Sequence, residues 1–308
     1  MLPTASEPAD RHITKRKPEW LRVQLPRDSR FSRLGSMLNG LGLSTVCRSA
    51  RCPNICECFS TGTATFLILG DVCTRSCAFC NIASGSQPAP PMEDEPARVS
   101  KAVGQMGLTY AVITSVSRDD LPDGGAGHFA RVISQLKQEI PGLTVETLIP
   151  DFQGREESLA TVLTSGVDVL NHNLETVPEL YPRVRPQAAY HRSLELLDRA
   201  KAWSISSANG QFSALRTKSG LILGLGETRN QLRRVMADLA SVGCDILTMG
   251  QYLAPSARHH PVMRWLPPEE FSELAEIARK EGIPTVFSAP LVRSSYHAHE
   301  VASAEATR

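Results

Sequence analysis

"TATFLILGDVCTRSCAFC" (residues 63–80) joins an apolar run to three cysteines spaced C-x3-C-x2-C. The apolar run predicts a strand buried on both faces, as in a parallel sheet covered by helices. Cys73, Cys77 and Cys80 then fall on the loop that leaves its C-terminal end. Four more cysteines lie upstream, Cys47, Cys52, Cys56 and Cys58, so residues 47–80 hold seven of the chain's eight. The eighth, Cys244, follows Gly243 on the approach to another apolar run and is expected in the core.

The same strand-and-loop grammar repeats along the 308 residues. Strand-like runs recur at 110–116, 144–150, 167–175, 218–227 and 245–253. Helical spacing occupies Ala97–Met106, His128–Glu139, Arg155–Ser165, Tyr190–Trp203, Arg229–Val242 and Pro268–Lys280. Such alternation predicts βαβ units and a parallel sheet. Polar residues gather at the C-terminal ends of the strands: Asp71, Ser115 to Asp120, Asp151, Asn171 to Glu175, Glu227 and Gln251. A ring of functional groups at that end suits a barrel mouth. The expected fold is therefore α/β, a partial (β/α)6 TIM-type barrel over 61–283, with an N-terminal extension (1–60) and a C-terminal capping segment (284–308). Residues 204–216 read as a polar insertion, and the first 33 residues, with eight Lys/Arg against four Asp/Glu, as an extended basic arm.

Composition excludes several classes. A net charge of +1 gives no sign of a nucleic-acid partner, and no apolar run approaches the about 18 residues that cross a bilayer. The N-terminus has no apolar signal region and includes Glu7, Asp10 and Glu19, so neither a secretory nor an organelle address is expected, which points to the cytoplasm. In a reducing compartment clustered thiols act as metal ligands or redox groups more often than as disulfides.

The strand at 63–70 divides the cluster. After it come Cys73, Cys77 and Cys80; before it, C-x4-C-x5-C runs through Cys47, Cys52 and Cys58, with Cys56 as a spare. Structural zinc and a complete cubane both take four protein ligands. Three thiolates on a [4Fe–4S] cluster leave one iron open. The competing reading is a four-cysteine zinc site drawn from the pooled seven.

C-x3-C-x2-C immediately after the first strand of such an array resembles the signature of the radical S-adenosylmethionine (SAM) superfamily, and "GLILGLGE" (220–227) fits its G-x-I-x-G-x-x-E segment. The upstream triad narrows the resemblance to the lipoyl synthase family. "RDDLPDGGA" (118–126), "LIPDF" (148–152), "NHNLETV" (171–177), "VRPQAAYHRSL" (184–194), "GQYLAPSARHHPV" (250–262) and "RSSYHA" (293–298) agree with it. The chain departs from that pattern at Ser117, where the family often has Asp, and at the extra Cys56.

The resemblance implies a sulfurtransferase that inserts two sulfur atoms, at C6 and C8, into a protein-bound octanoyl-lysine. It implies that Cys73, Cys77 and Cys80 hold the SAM-binding [4Fe–4S] cluster. Cys47, Cys52, Cys58 and Ser295 would hold an auxiliary [4Fe–4S] cluster, the sulfur donor. Two SAM would be consumed per lipoyl group. Phe79, Gly224 and Glu227 would lie beside the adenine. Asn171, Asn173, Glu175 and Arg185 are candidates for the ribose and carboxylate of SAM. Arg118, Asp119 and Asp120 are candidates for orienting loops or contacting SAM, whereas His259, His260 and His297 are expected to make loop hydrogen bonds. Expected partners are octanoylated lipoyl carrier domains, such as E2 subunits of 2-oxoacid dehydrogenases and the glycine cleavage H protein, and a ferredoxin or flavodoxin as electron donor. Rival readings are another sulfur-inserting radical SAM enzyme such as biotin synthase, which would lack the upstream triad and "RSSY", and a ferredoxin-like carrier, which would need four cysteines per cubane.

Overall fold

In the computed structural model, residues 16–23, 29–60, 64–207 and 215–295 are described. His297, most of the basic arm and residues 208–214 of the polar insertion lie outside them. The first strand, β1 (Thr65–Ile68), is buried at all four positions, as its unbroken apolar sequence requires. It pairs in parallel with β2 (Tyr110–Ser115), and the ladder continues through β3 (Thr144–Leu148), β4 (Val169–Asn171), β5 (Arg216–Leu223) and β6 (Ile246–Gln251).

The six strand–helix units expected from the sequence are present, and a seventh strand follows them. β7 (Thr285–Ser288) pairs in parallel with β6, Thr285 opposite Ile246. It lies beyond residue 283, where the sequence reading ended the barrel and began the capping segment. At the other edge a two-residue strand, Ser44–Thr45, runs antiparallel to β1 and delivers the chain to Cys47. Among the described residues the strand order is linear from Ser44–Thr45 to β7, so the barrel stays open.

The helices α1 (Glu95–Met106), α2 (Ala126–Glu139), α3 (Glu156–Leu163), α4 (Tyr190–Ser207), α5 (Arg229–Ser241) and α6 (Pro268–Glu281) follow the strands in turn. Thr228 and Gln231 form a reciprocal capping box at the start of α5. The apolar core divides in two. Phe66, Ile113, Val145 and Phe129 belong to one half, around β1–β3; Leu221, Leu247, Val235 and Phe271 belong to the other, around β5 and β6. Cys244 lies in the second half, 1% exposed, as expected of a packing thiol.

Within the barrel, Lys218 Nζ meets Glu146 at 2.9 Å, and neither side chain is exposed. Tyr110 and Asn171 donate further hydrogen bonds to the same carboxylate. A buried pair satisfied this fully braces the strands without leaving an uncompensated charge. No described helix is long and apolar enough to cross a membrane.

Candidate functional site

The cysteine loop is aimed by a strained turn. Leu69 (φ +67°) and Gly70 (φ +90°) swing the chain off the end of β1. Left-handed backbone is costly for leucine, so it must be held. Its N–H donates to Glu95 Oε2 at 2.9 Å, and its carbonyl accepts from Arg118 at 3.1 Å. Glu95 is itself fixed by His128 Nε2 at 2.7 Å.

Beyond the turn, Cys73 Sγ accepts the N–H groups of Arg75 (3.4 Å) and Ser117 (3.3 Å). Ser117, at that departure from the family pattern, thus meets the loop through its backbone and also lines the cavity described below. Arg75 is only 5% exposed at its side chain; it forms a bidentate pair with Asp119 (2.6 and 2.8 Å) and reaches Asp151 at 2.6 Å. Burial disfavours the Asp151 anion, but the hydrogen bond and charge of Arg75 win and hold its carboxyl well below the usual carboxylate range. Asp119 and Asp120 bind Arg75 and Arg118 and are absent from the cavity wall described below, so "RDD" works as bracing between loops.

Other segments close around the loop. Gln187 accepts from Ser76 N–H (2.7 Å), and Ala78 N–H donates to Val184 (2.9 Å). His260 N–H donates to the Ala78 carbonyl (2.8 Å), and the His259 ring lies 3.1 Å from the Cys80 carbonyl. Both histidines make loop hydrogen bonds, as expected.

A cavity of about 390 Å³ opens at the C-terminal ends of the strands. Cys73, Cys77, Phe79 and Cys80 form part of its wall, together with His172, Asn173, Glu175, Arg185 and Ile222. Arg185 donates to the Asn173 and Leu174 carbonyls, both at 2.9 Å, and stacks 5.2 Å over Tyr181. Glu175, at φ +65°, is clamped to β5 through its own N–H and carbonyl. Its burial raises the carboxyl pKa, with Arg185 opposing. Burial also raises the Cys77 thiol pKa, partly offset by Arg185, and pushes Cys80 up to about 12.

Three candidates sit behind the wall. Asn171 is fully buried on Glu146 and does not line the cavity. Glu227 accepts the N–H groups of Gly224 (2.6 Å) and Leu225 (2.9 Å), shaping the turn after β5. Gly224 has φ +97°, and a Cβ there would collide with the Arg264 carbonyl and the Gln251 amide. This turn supports Ile222, which does line the cavity and packs with Phe79 against Leu225 and Tyr252.

The same cavity is lined by Cys47, Cys52 and Cys58, while Cys56 is absent from its wall. Burial, then the neighbouring Cys47 and Cys52, push Cys58 up to about 12; burial takes Cys47 to about 11. The C-terminal strap, residues 289–295, completes the enclosure, and Ser295 stands on the wall. Asn54, 1% exposed between the cysteines, donates to the Leu291 carbonyl at 2.7 Å. Gly250 on β6 permits the approach, since a Cβ there would collide with the Val292 carbonyl.

Sequence reasoning missed Arg75 as a brace, His172 as a wall residue, and Asn54 and Gly250 as holders of the strap. Two aspartates at successive strand ends facing an arginine inside the cysteine loop were a readable signal for the first. His172 lay within the polar strand end Asn171 to Glu175, whereas nothing local marked Asn54 or Gly250.

Each triad presents three soft thiol donors, and the cavity wall carries these six cysteines without Cys56 or Cys244. That donor set suits an iron–sulfur cluster with one iron left open. Among the described residues no three His, Cys, Asp or Glu side chains converge around a single metal ion.

Comparison with known proteins agrees with this chemistry. The Radical SAM superfamily model matches residues 67–239, and the N-terminal domain model of lipoyl synthase matches residues 6–52. A lipoyl synthase of Nitratidesulfovibrio vulgaris is 52% identical over 302 residues, covering 98% of each chain. One from Chlorobium chlorochromatii is 50% identical, covering 92% of this chain and 94% of its own. Among solved structures, Streptococcus suis SuiB bound to precursor peptide SuiA superposes with a TM-score of 0.55 at 9% identity, over 77% of this chain and 52% of that one, and so shares the fold. The radical SAM family brings SAM and a [4Fe–4S] cluster with it. The chain belongs to the lipoyl synthase family, and its activity is radical SAM-dependent lipoyl synthesis by sulfur transfer.

Proposed function

We propose that this one cavity inserts sulfur at C6 and C8 of an octanoyl-lysine carried on a lipoyl domain. Cys73, Cys77 and Cys80 hold the SAM-binding cluster; Cys47, Cys52, Cys58 and Ser295 hold a second [4Fe–4S] cluster that is consumed as the sulfur source. The observation that supports this most is that both triads and Ser295 line the same cavity. A substrate carbon held in that cavity would face both sets of thiols, one set serving hydrogen removal and the other sulfur delivery.

Bound at the first triad, SAM and its cluster supply a radical that can take hydrogen from an unactivated carbon, which no acid or base among the side chains can do. The protein's part is to bind, orient and exclude water. Phe79 and Ile222 give the adenine an apolar seat, with Gly224 and Glu227 shaping the turn behind it. Asn173, Glu175 and Arg185 face the ribose and the amino-acid end of SAM, and Asn171 supports them from below. Leu67, Leu148, Ile149, Leu221 and Val292 line the cavity as an apolar wall for the eight-carbon chain. Each methylene buried there contributes about 0.8 kcal/mol.

Two hydrogens are removed, so two SAM are used per lipoyl group. A serine oxygen is harder than a thiolate and matches cluster iron less well, so Ser295 would hold its corner of the cluster more weakly than the three thiolates hold theirs. The carriers are octanoylated E2 and H-protein domains, and a ferredoxin or flavodoxin in the cytoplasm supplies electrons. Residues 1–60, 61–283 and 284–308 act as auxiliary-cluster extension, barrel and capping segment.

The test is direct. Anaerobically reconstituted protein, SAM and reductant are incubated with an octanoyl-lysine peptide, and the peptide is weighed. A gain of two sulfurs, as the dithiol that the reductant keeps, or with two hydrogens lost once that dithiol is oxidised to the cyclic disulfide, supports the reading; SAM cleavage without any mass change rejects it. Ser295→Cys is expected to cleave SAM but insert little sulfur, and unchanged insertion would sink the weak-corner role.

A further inference from the structure

Ser294 stands beside the proposed ligand Ser295 on the strap. Its Oγ accepts from Asn173 Nδ2 at 2.7 Å. The second Nδ2 proton goes to Glu175 Oε1 at 3.0 Å, so both protons of the amide are committed. Asn173 Oδ1 is left as a buried acceptor with no hydrogen-bond partner among the described residues. Asn173 and Ser294 both line the cavity.

The strap bearing Ser294 is held along its length. Gln251 N–H donates to Pro290 (3.1 Å), and Asn54 holds Leu291 (2.7 Å). Gly250 and Gly220 make room for it: a Cβ on Gly220 would stand 2.7 Å from Asn173 Oδ1 and 2.9 Å from Ser294 Oγ. The last described side-chain anchor before Ser295 is therefore the hydrogen bond to Asn173. That bond also fixes the amide so that Oδ1 is the atom offered to a donor.

We infer that the Asn173–Ser294 hydrogen bond couples the two ends of the cavity: seating Ser295 on the auxiliary side preorganises Asn173 for SAM, and SAM on Asn173 steadies the strap that presents Ser295. Ser294 is a positioning residue for both. The inference rests on the proposed roles of Asn173 and Ser295. Coupling of this kind is reciprocal, so either end can be used to measure it. A neutral hydrogen bond supports a factor of roughly two- to tenfold.

The experiment is a double-mutant cycle on the reconstituted full chain, read by SAM dissociation constant in equilibrium dialysis. One axis is Ser294→Ala; the other empties the auxiliary site with Cys47→Ala, Cys52→Ala and Cys58→Ala together. With Ser294 present, emptying the site is expected to weaken SAM binding by about two- to tenfold, and with Ser294→Ala to change it no further. Ser294→Thr, which keeps the hydroxyl, is expected to restore the coupling. Equal effects in both backgrounds, or none in either, overturn it. Iron analysis separates the two levels: about eight irons per chain with a flat cycle removes only the coupling. About four irons removes the two-cluster reading and the coupling with it. If the triple variant fails to fold, the reciprocal measurement decides. SAM is then expected to slow iron loss to a chelator in the Ser294 chain and not in Ser294→Ala, and equal protection overturns the coupling.

Discussion

Arg75 and Asp119 meet in a bidentate ion pair, 2.6 and 2.8 Å, that locks the middle of the cysteine loop to the loop after β2. The same guanidinium holds Asp151 after β3, so three strand ends are tied at one point. Arg75→Met leaves the Asp151 carboxylate, 1% exposed, with the Gln153 N–H at 3.0 Å and a longer 3.2 Å contact to Arg192 as its remaining described partners. Removing one partner of a buried pair costs about 3–5 kcal/mol. Denaturant unfolding of the unloaded chain is expected to show that loss. Reconstituted iron is expected to fall from about eight toward four per chain as the loop stops presenting its three thiols.

His172 gives the fold a pH dependence of defined sign. Its ring Nδ1 lies 2.8 Å from the Ile149 carbonyl and Nε2 2.9 Å from the Ser193 hydroxyl, which fits the neutral tautomer with the proton on Nδ1. Burial, then the Arg185 charge, lower its pKa to about 4. The unfolded chain takes up that proton near pH 6.5, before the folded chain does. The contribution is therefore complete above about pH 6.5 and is lost as pH falls toward 4, by up to about 3 kcal/mol. Unfolding free energies at pH 7.5, 6 and 5 are expected to fall less steeply in His172→Gln than in the natural chain. Parallel slopes would exclude His172 as the source.

Gly250→Ala tests whether the strap must lie against β6. The added methyl meets the Val292 carbonyl, and backbone cannot yield as a flexible side chain would. Overpacking of this kind costs about 1–3 kcal/mol. The expected outcome is selective: auxiliary-site iron and sulfur insertion are lost while SAM cleavage persists. Loss of both together would mean that the strap supports the whole mouth.

Glu95 is the least obvious contributor to the SAM side. Glu95→Ala strips the acceptor from the Leu69 N–H and from His128, at a cost of about 1–3 kcal/mol for buried donors left unpaired. Glu95→Gln keeps one acceptor oxygen and is expected to retain most of the stability. SAM cleavage rates should follow the same order, since Leu69 sets the direction of the loop.

The strands were legible because their apolar runs are long and their loops begin with polar residues. β7 was not: it is an edge strand whose short apolar stretch lies between Pro284 and Pro290. The division of the cysteines at the first strand was legible, but setting Cys56 apart needed the family resemblance, since its spacings to Cys52 and Cys58 suit a metal too; the cavity wall carries the other six and leaves Cys56 out. Asn171 and Glu227 read as wall residues, since the strand-end position looks the same whether a side chain faces the cavity or the layer beneath. Only register decides that, and register is a property of the whole sheet. Asn54 could not be read at all: its partner lies 237 residues away.

That separation has a consequence for how the chain is made. Synthesis proceeds from the N-terminus, so Cys47, Cys52 and Cys58 leave the ribosome long before Leu291 exists to meet Asn54. Until the final segment arrives, the pocket around those thiols lacks its roof. A product truncated before the strap would retain every cysteine and still be unable to shelter what they bind.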